Sequence, residues 1–189
     1  MRITKEPRER RQEILDTAMK LFYQNGYEKT SIGDIAKEMN VAQGLCYRYF
    51  PSKEVLFDTA IDEYAGTLVL RMTDAIKKPG LTLKQIVLQM STFQDIENDN
   101  SFVYKLCHSE QSRKIHNQLS MAVCSKMVPV VKKLLDEAIK RKEAALTDTE
   151  TAASFCVYGQ LGILLQMDLS SEERQQRIQN FLIELLNKF

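Results

Sequence analysis

The sequence predicts an all-α protein of about nine helices, in which an N-terminal three-helix domain with a helix-turn-helix precedes a larger helical domain. Between Ile14 and Phe22, apolar residues recur at steps of three and four, which is the spacing of one buried helix face. Paired capping residues mark further helix starts along the chain. No stretch of useful length alternates apolar and polar residues, so we expect no β-sheet.

Local signals divide the first part of the chain into three helices. Gly26 can adopt positive φ and should end the first helix. A hydroxyl N-cap at Thr30 or Ser31 should begin a short second helix. That helix should end near Asn40, because asparagine tolerates the left-handed conformation better than most residues. A third helix is expected over about 43–49.

The balance of charge also changes along the chain. Residues 1–53 contain ten Lys and Arg against seven Asp and Glu, whereas residues 54–189 contain sixteen against eighteen. A basic segment favours a polyanionic partner. Ser52 should cap a long fourth helix, and we predict a domain boundary there. The two predicted domains are residues 1–53 and residues 54–189.

Three capping boxes predict helix starts in residues 54–189. In each box a hydroxyl residue stands three positions before a Glu or Gln, so that two backbone N–H groups are satisfied together. The pairs are Thr82 with Gln85, Thr147 with Glu150, and Ser170 with Glu173. We expect helices over about 83–96, 148–167 and 171–187. Short and long helices are expected over about 101–108 and 110–143, and Pro129 should kink the long one.

The residue pattern favours neither an enzyme nor a metalloprotein. The four cysteines are widely spaced, without a C-x-x-C pair and without zinc-ligand spacing to the two histidines. A four-helix di-iron enzyme would need Glu-x-x-His on two helices, and this spacing does not occur. We therefore expect no catalysis, no cofactor and no metal, and a helical-bundle enzyme remains only as an alternative.

The sequence also lacks the patterns of secretion and membrane insertion. No run approaches the roughly 18 apolar residues that a membrane span needs. The charged first residues, 1–11, have no apolar segment behind them, unlike a signal peptide. We therefore expect a cytoplasmic protein without a membrane partner.

The second and third helices, joined by the turn 40–42, have the spacing of a helix-turn-helix. The third helix would then lie in a DNA major groove and would have to present polar or aromatic groups outward. Gln43, Tyr47 and Arg48 lie on one side of it. Residues 42–53 contain no acidic side chain that phosphates would repel. The pattern predicts a DNA-binding surface, and a helical interaction protein that does not bind DNA is the alternative.

About 45 residues carry a more specific pattern, whose spacing matches a known family without gaps. The residues are Ala18, Leu21, Phe22, Gly26, Tyr27, Thr30, Ser31, Ile35, Ala36, Val41, Gly44, Tyr47, Tyr49, Phe50, Ser52, Lys53, Glu54 and Leu56. This pattern resembles the DNA-binding domain of the TetR/AcrR family of bacterial repressors. The resemblance implies an all-α homodimer whose first domain binds a double-stranded DNA operator. It also implies that residues 54–189, which we call the body, form the ligand-binding and dimerisation domain. The ligand is expected to be a small apolar or amphipathic effector that releases the repressor from its operator.

The resemblance also implies DNA-binding residues: Thr30, Ser31, Ala42, Gln43, Gly44, Tyr47, Arg48, Tyr49 and Lys53. Thr30 and Ser31 would meet a phosphate at the start of the second helix. Gln43 would bind a base, for instance adenine through two hydrogen bonds, and Gly44 would allow close approach of the backbone. Tyr47 would contact phosphate or thymine, and Arg48 guanine or phosphate. Tyr49 and Lys53 would bind the DNA backbone.

Two groups of residues are predicted in the body. Methionines and aromatics with a few polar groups over 86–127 suit a pocket for an apolar ligand, although they suit an ordinary core equally well. The candidate ligand residues are Met90, Phe93, Tyr104, His108, Met121 and Cys124. The last two helices carry a face of small residues and an apolar stripe, which the resemblance assigns to dimerisation and which could also pack within one chain. The candidate interface residues are Cys156, Gly159, Ile163, Ile178, Phe181, Leu182 and Leu185.

Overall fold

The computed structural model describes residues 5–74, 76, 80–89, 113–164, 166, 168–186 and 188. Within these residues the chain forms nine helices and no strand, which confirms the predicted all-α class. The helices are α1 (Pro7–Asn25), α2 (Ile32–Glu38), α3 (Gln43–Tyr49), α4 (Lys53–Asp74), α5 (Leu83–Gln89), α6 (Arg113–Lys140), α7 (Thr149–Gly159), α8 (Leu161–Leu164) and α9 (Ser171–Leu186). The helix predicted over 101–108 and the end of the one predicted over 83–96 lie outside the described residues.

The described helices divide into two compact units. The first unit contains α1, α2 and α3, with α4 as far as Tyr64 and α6 as far as Leu119. The second unit contains the rest of α4 and α6 together with α5, α7, α8 and α9. The predicted boundary after residue 53 stays a prediction.

The first unit is built around the buried face of α1. The buried residues of this helix are Ile14, Leu15, Ala18, Met19, Leu21 and Phe22, as the apolar spacing predicted. The Phe22 ring meets the edge of Phe57, with centroids 5.3 Å apart, and Tyr27 lies 4.5 Å from Phe57. An ion pair between Arg11 and Glu63 joins α1 to α4. These contacts join α1 and the loop after it to α4.

Two turns have the backbone conformations that the sequence predicted. Gly26 has a φ of 86°, and its N–H donates to the Phe22 carbonyl at 2.9 Å. Asn40 has a φ of 53°, which ends α2 in the left-handed region. The next residue, Val41, donates its N–H to the Ala36 carbonyl at 2.9 Å. This short turn sets the angle at which α3 leaves α2.

Of the three predicted capping boxes, those that begin α5 and α9 are confirmed, with Gln85 and Glu173 as the partners. The box at Thr147 is wrong by one residue, because Asp148 caps α7. Its carboxylate accepts the N–H of Thr151 at 2.9 Å and the hydroxyl of Thr151 at 2.6 Å. A carboxylate is favoured over a neutral hydroxyl at a helix N-terminus because the helix dipole is positive there.

The second unit differs from the prediction in one helix. The helix expected over 148–167 is interrupted at Gln160, which separates α7 from α8. Glycine lowers helix propensity, and Gly159 and Gly162 flank this break. Pro129 lies inside α6, as predicted. Helix α9 packs against α5 and α8, and the Leu83 N–H donates to the Glu143 carboxylate at 2.9 Å.

Thr30 holds the loop between α1 and α2 from inside. Its side chain is 1% exposed, and its hydroxyl lies 2.9 Å from the Gly26 carbonyl and 3.2 Å from the Leu21 carbonyl. Burial of a carbonyl without a donor is costly, so this hydroxyl contributes to the stability of the first unit.

Replacing Thr30 by Val should therefore lower the free energy of unfolding by about 1–2 kcal/mol, because Val keeps the shape and removes the donor. Urea unfolding followed by circular dichroism measures the change. Thr59→Val is the matched control, since the Thr59 hydroxyl bonds only the Val55 carbonyl within its own helix, at 2.7 Å. The control should lose less than about 0.5 kcal/mol, and equal losses in both variants would contradict the interior role of Thr30.

Candidate nucleic-acid interface

Helix α3 buries one side and exposes the other. Cys46 is 0% exposed and Phe50 2%, whereas Tyr47 is 47% exposed. Burial raises the pKa of the Cys46 thiol, so the thiol stays protonated near neutral pH. The exposed residues on this helix and immediately before it are Ala42, Gln43, Gly44, Tyr47 and Arg48. Tyr49 is half-buried.

A depression of about 390 Å³ lies between the starts of α2 and α4, and we call it the cradle. Its lining residues are Glu28, Lys29, Thr30, Ser31, Ile32, Tyr47, Pro51, Ser52 and Lys53. Ser52 caps α4 by accepting the Val55 N–H at 3.1 Å. Two lysines and the positive end of α4 therefore meet here, which makes the cradle suitable for an anion such as a phosphate group.

Lys53 is positioned by the loop between α1 and α2. Its ammonium donates to the Tyr27 carbonyl at 3.0 Å and lies 4.3 Å from the centroid of the Tyr27 ring. An ammonium has three N–H donors, so two remain for a phosphate. The Tyr27 contacts thus restrict the long lysine side chain before any ligand arrives.

The hydroxyls of Thr30 and Ser31 are both engaged within the protein. Thr30 donates to backbone carbonyls, as described above. The Ser31 hydroxyl accepts the Asp34 N–H at 3.1 Å and donates to the Asp34 carboxylate at 2.6 Å. Hydrogen bonds from Ser31 lower the pKa of Asp34, which stays ionised. Phosphate contacts by these two residues remain predictions, and each hydroxyl would have to share an existing bond.

Two glycines shape the exposed side of the helix-turn-helix. A Cβ on Gly33 would lie 3.6 Å from the amide nitrogen of Gln43, so the bare glycine leaves space beside that side chain. A Cβ on Gly44 would meet no atom within 4 Å. The backbone of α3 is therefore open at Gly44, as a surface that approaches DNA closely requires.

The sequence analysis missed a pair of charges at the edge of the cradle. The Lys114 ammonium, at the start of α6, lies 3.0 Å from the Glu28 carboxylate and 4.0 Å from the centroid of the Tyr27 ring. The hydrogen bond from Lys114 and its charge lower the pKa of Glu28. The two residues are 86 positions apart, so no local spacing could have indicated the contact.

The predicted ligand residues are not brought together where the structure describes them. Met90, Phe93, Tyr104 and His108 lie outside the described residues. Met121 is 52% exposed, whereas Cys124 is buried, and burial raises the pKa of its thiol to about 11. Another depression, of about 560 Å³, lies in the second unit. It is lined by Thr73, Ile76, Gly80, Leu81, Ile86, Pro129, Val130, Lys133, Leu134, Glu137 and Arg141. We call it the groove.

The predicted interface residues differ in exposure. Ile178 is buried within its own chain, and Phe181 is 60% exposed. Gly159 is exposed, and the half-buried residues are Cys156, Ile163, Leu182 and Leu185. Phe155, which the sequence analysis did not single out, is 77% exposed. Helices α7 and α9 therefore leave two large apolar side chains in solvent.

The described ranges contain no group of three or more His, Cys, Asp or Glu side chains that could hold a metal ion. None of their helices has the length and apolar character needed to cross a membrane.

Comparison with known proteins bears first on the helix-turn-helix. Residues 14–60 match the family model described as bacterial regulatory proteins, tetR family. The uncharacterized HTH-type transcriptional regulator YuxN of Bacillus subtilis is 46% identical over 73 residues, which are 39% of this chain and 25% of that protein. The chain spans less than half the length of such curated relatives, between 25% and 45%.

Solved structures match over nearly the whole chain. A TetR-family transcriptional regulator from Pectobacterium atrosepticum superposes with a TM-score of 0.67 at 19% identity, covering 96% of both chains. The regulator FadR from Bacillus subtilis, in complex with stearoyl-CoA, gives a TM-score of 0.62 at 20% identity, covering 93% of this chain and 96% of that one. At these identities the likeness shows the fold. Residues 14–60 are thus similar to the tetR family of bacterial regulatory proteins, and the whole chain shares the fold of solved TetR-family structures.

Proposed function

We propose that the chain is a cytoplasmic, DNA-binding transcriptional regulator that acts as a homodimer. It would repress transcription and leave its operator when a small apolar or amphipathic ligand binds. The observation that carries the proposal is the cradle, which lies beside the exposed side of α3 and offers two lysines to a phosphate. Two of the relatives, YuxN of Bacillus subtilis and AcrR of Shigella flexneri, are named as HTH-type transcriptional regulators, which supports the same function.

The two parts of this surface would make different contributions to DNA binding. Lys53 and the start of α4 would bind the phosphate backbone, which supplies affinity without sequence preference. Gln43, Tyr47 and Arg48 are exposed on α3 and would reach base edges or phosphates from the major groove.

Replacing Lys53 by Gln should weaken binding to any duplex about tenfold and lower the slope of log affinity against log salt by about one, because one phosphate contact is lost. Replacing Gln43 by Ala should instead relax base preference at one position in each half-site. Fluorescence anisotropy with duplexes of about 30 base pairs and selection from randomised duplexes measure the two effects.

Lys140→Gln is the matched control for the loss of one positive charge, because Lys140 is exposed near the end of α6. Lys140→Gln should leave the affinity for DNA and the salt slope unchanged. An unchanged salt slope in Lys53→Gln would remove Lys53 from the interface. Wild-type protein that binds no duplex at low salt would favour the alternative, a helical interaction protein that does not bind DNA.

The dimer would use the last helices of the second unit. Phe155 on α7 and Phe181 on α9 are 77% and 60% exposed. Large apolar side chains in solvent are typical of surfaces that associate. A helix-turn-helix protein commonly reads two half-sites with two-fold symmetry, which a dimer provides.

Changing both Phe155 and Phe181 to Glu should raise the dimer dissociation constant at least about thirtyfold, the effect of losing one strong interface contact. Both positions are exposed in one chain, so the substituted monomer can fold with its carboxylates in water. Sedimentation velocity measures the mass. Leu70→Glu is the control, since Leu70 is 61% exposed on α4. A variant that stays dimeric while the control behaves like wild type would place the interface elsewhere.

The groove is a candidate site for the effector. Its volume of about 560 Å³ lies within the range of small-molecule pockets. Apolar side chains from α5 and α6 line it, and its charged residues are Lys133 and Arg141 together with one carboxylate, Glu137. Such a lining suits an apolar chain that ends in an anion. Arg141 is held by Glu143 at 2.8 Å.

Stearate is the natural probe, because the solved FadR structure contains stearoyl-CoA. Val130→Trp should fill the groove and weaken stearate binding at least about tenfold, as expected when bulk enters a binding site. Isothermal titration calorimetry measures this. Met121→Trp tests the site expected from the sequence, since Met121 does not line the groove. If Met121→Trp loses stearate binding and Val130→Trp does not, the ligand site lies at Met121 and Cys124, as the sequence predicted.

A further inference from the structure

Glu28 carries a charge of the wrong sign for a surface that binds DNA. It is the acidic residue among those that line the cradle, and its side chain is 78% exposed. A carboxylate here repels phosphates and attracts the nearby ammonium groups. Glu28 and Lys53 line the same cradle, and the charge of Lys53 contributes to lowering the pKa of the Glu28 carboxyl. An unpaired Glu28 would therefore compete with phosphate for Lys53.

In the structure, Glu28 forms an ion pair with Lys114. Its ammonium lies 3.0 Å from the Glu28 carboxylate, and Lys114 contributes more than Lys53 does to the lowered pKa of Glu28. The same ammonium lies 4.0 Å from the centroid of the Tyr27 ring, a favourable cation–π distance that holds the lysine over the loop. Lys53 bonds the carbonyl of that same tyrosine. Both ammonium groups thus lie over the Tyr27 ring, and they differ in their second partner, which is the Tyr27 carbonyl for Lys53 and the Glu28 carboxylate for Lys114.

We propose that Lys114 is a positioning residue for DNA binding. By pairing with Glu28 it keeps this carboxylate away from Lys53 and reduces its repulsion of phosphate, although Lys114 lies outside the helix-turn-helix. The inference rests on the proposed function, because it assumes that Lys53 binds a DNA phosphate. It assigns to the start of α6 a part in the electrostatics of the cradle.

The exposure of Lys114 and Glu28 determines how much their ion pair affects stability and DNA binding. Lys114 is 49% exposed and Glu28 78%, so water and salt screen their charges and the pair adds little to stability. The consequence for DNA is larger than for folding, since phosphates bring a high density of negative charge against any unpaired carboxylate. Removing Lys114 should therefore leave the fold intact and weaken binding.

The test is a double-mutant cycle with Lys114→Gln, Glu28→Gln and both together, measured by anisotropy with a duplex of about 30 base pairs at low salt. Lys114→Gln should weaken binding roughly three- to tenfold. Glu28→Gln should bind at least as tightly as wild type, and the double variant should regain the affinity of Glu28→Gln. Lys114→Arg should stay within about twofold of wild type, because it keeps the charge. Lys140→Gln controls for net charge.

Three results would overturn the proposal. Lys114→Gln could bind like wild type. The double variant could remain as weak as Lys114→Gln, which would mean that Lys114 contacts DNA itself or only supports α6. Thermal melting could show that Lys114→Gln loses structure, while adding Glu28→Gln to it fails to restore the affinity measured by anisotropy. Wild-type protein that binds no duplex would instead defeat the proposed function and this inference with it. Lys53→Gln that binds like wild type would remove Lys53 from the interface and so defeat this inference while leaving the proposed function standing.

Discussion

The loop between α1 and α2 is held by several contacts, and the cradle depends on them. The Thr30 hydroxyl bonds backbone carbonyls from inside, and Lys53 bonds the Tyr27 carbonyl from the start of α4. Lys114 pairs with Glu28 from the start of α6. A loop of so few residues could not hold the starts of two helices in register by its own conformation. Packing of Tyr27 and Phe57 supplies the apolar support beneath it.

The same loop makes contacts that differ in burial, so the proposed DNA affinity and the folding of this domain should respond to different contacts. The Thr30 bonds are buried, so their loss costs stability. The Lys114–Glu28 pair is exposed, so its loss costs little stability but changes the charge that an incoming phosphate meets. Two contacts to neighbouring residues of one loop thus differ in function because they differ in burial.

Local patterns predicted most of the fold, because helix faces, caps and turns depend on residues a few positions apart. The positive φ of Asn40 and the buried face of α1 are examples. The error at Thr147 shows where local spacing is ambiguous, since Asp148 offers a stronger cap one residue later. The Lys114–Glu28 contact was beyond prediction, because it joins residues distant in sequence. The groove combines α4, α5 and α6 in a way that composition over 86–127 could not indicate.

Net charge makes the placement of each lysine important in this protein. The formal charge of the whole chain is +1, so no strong overall field attracts DNA. Attraction must come from local groups, and within a Debye length of about 8 Å a single carboxylate can offset a single lysine. Neutralising Glu28 should therefore change the attraction of the cradle for phosphate in the same direction as adding a lysine would. Electrostatic recognition here depends on which charges are already paired within the protein as much as on how many are present.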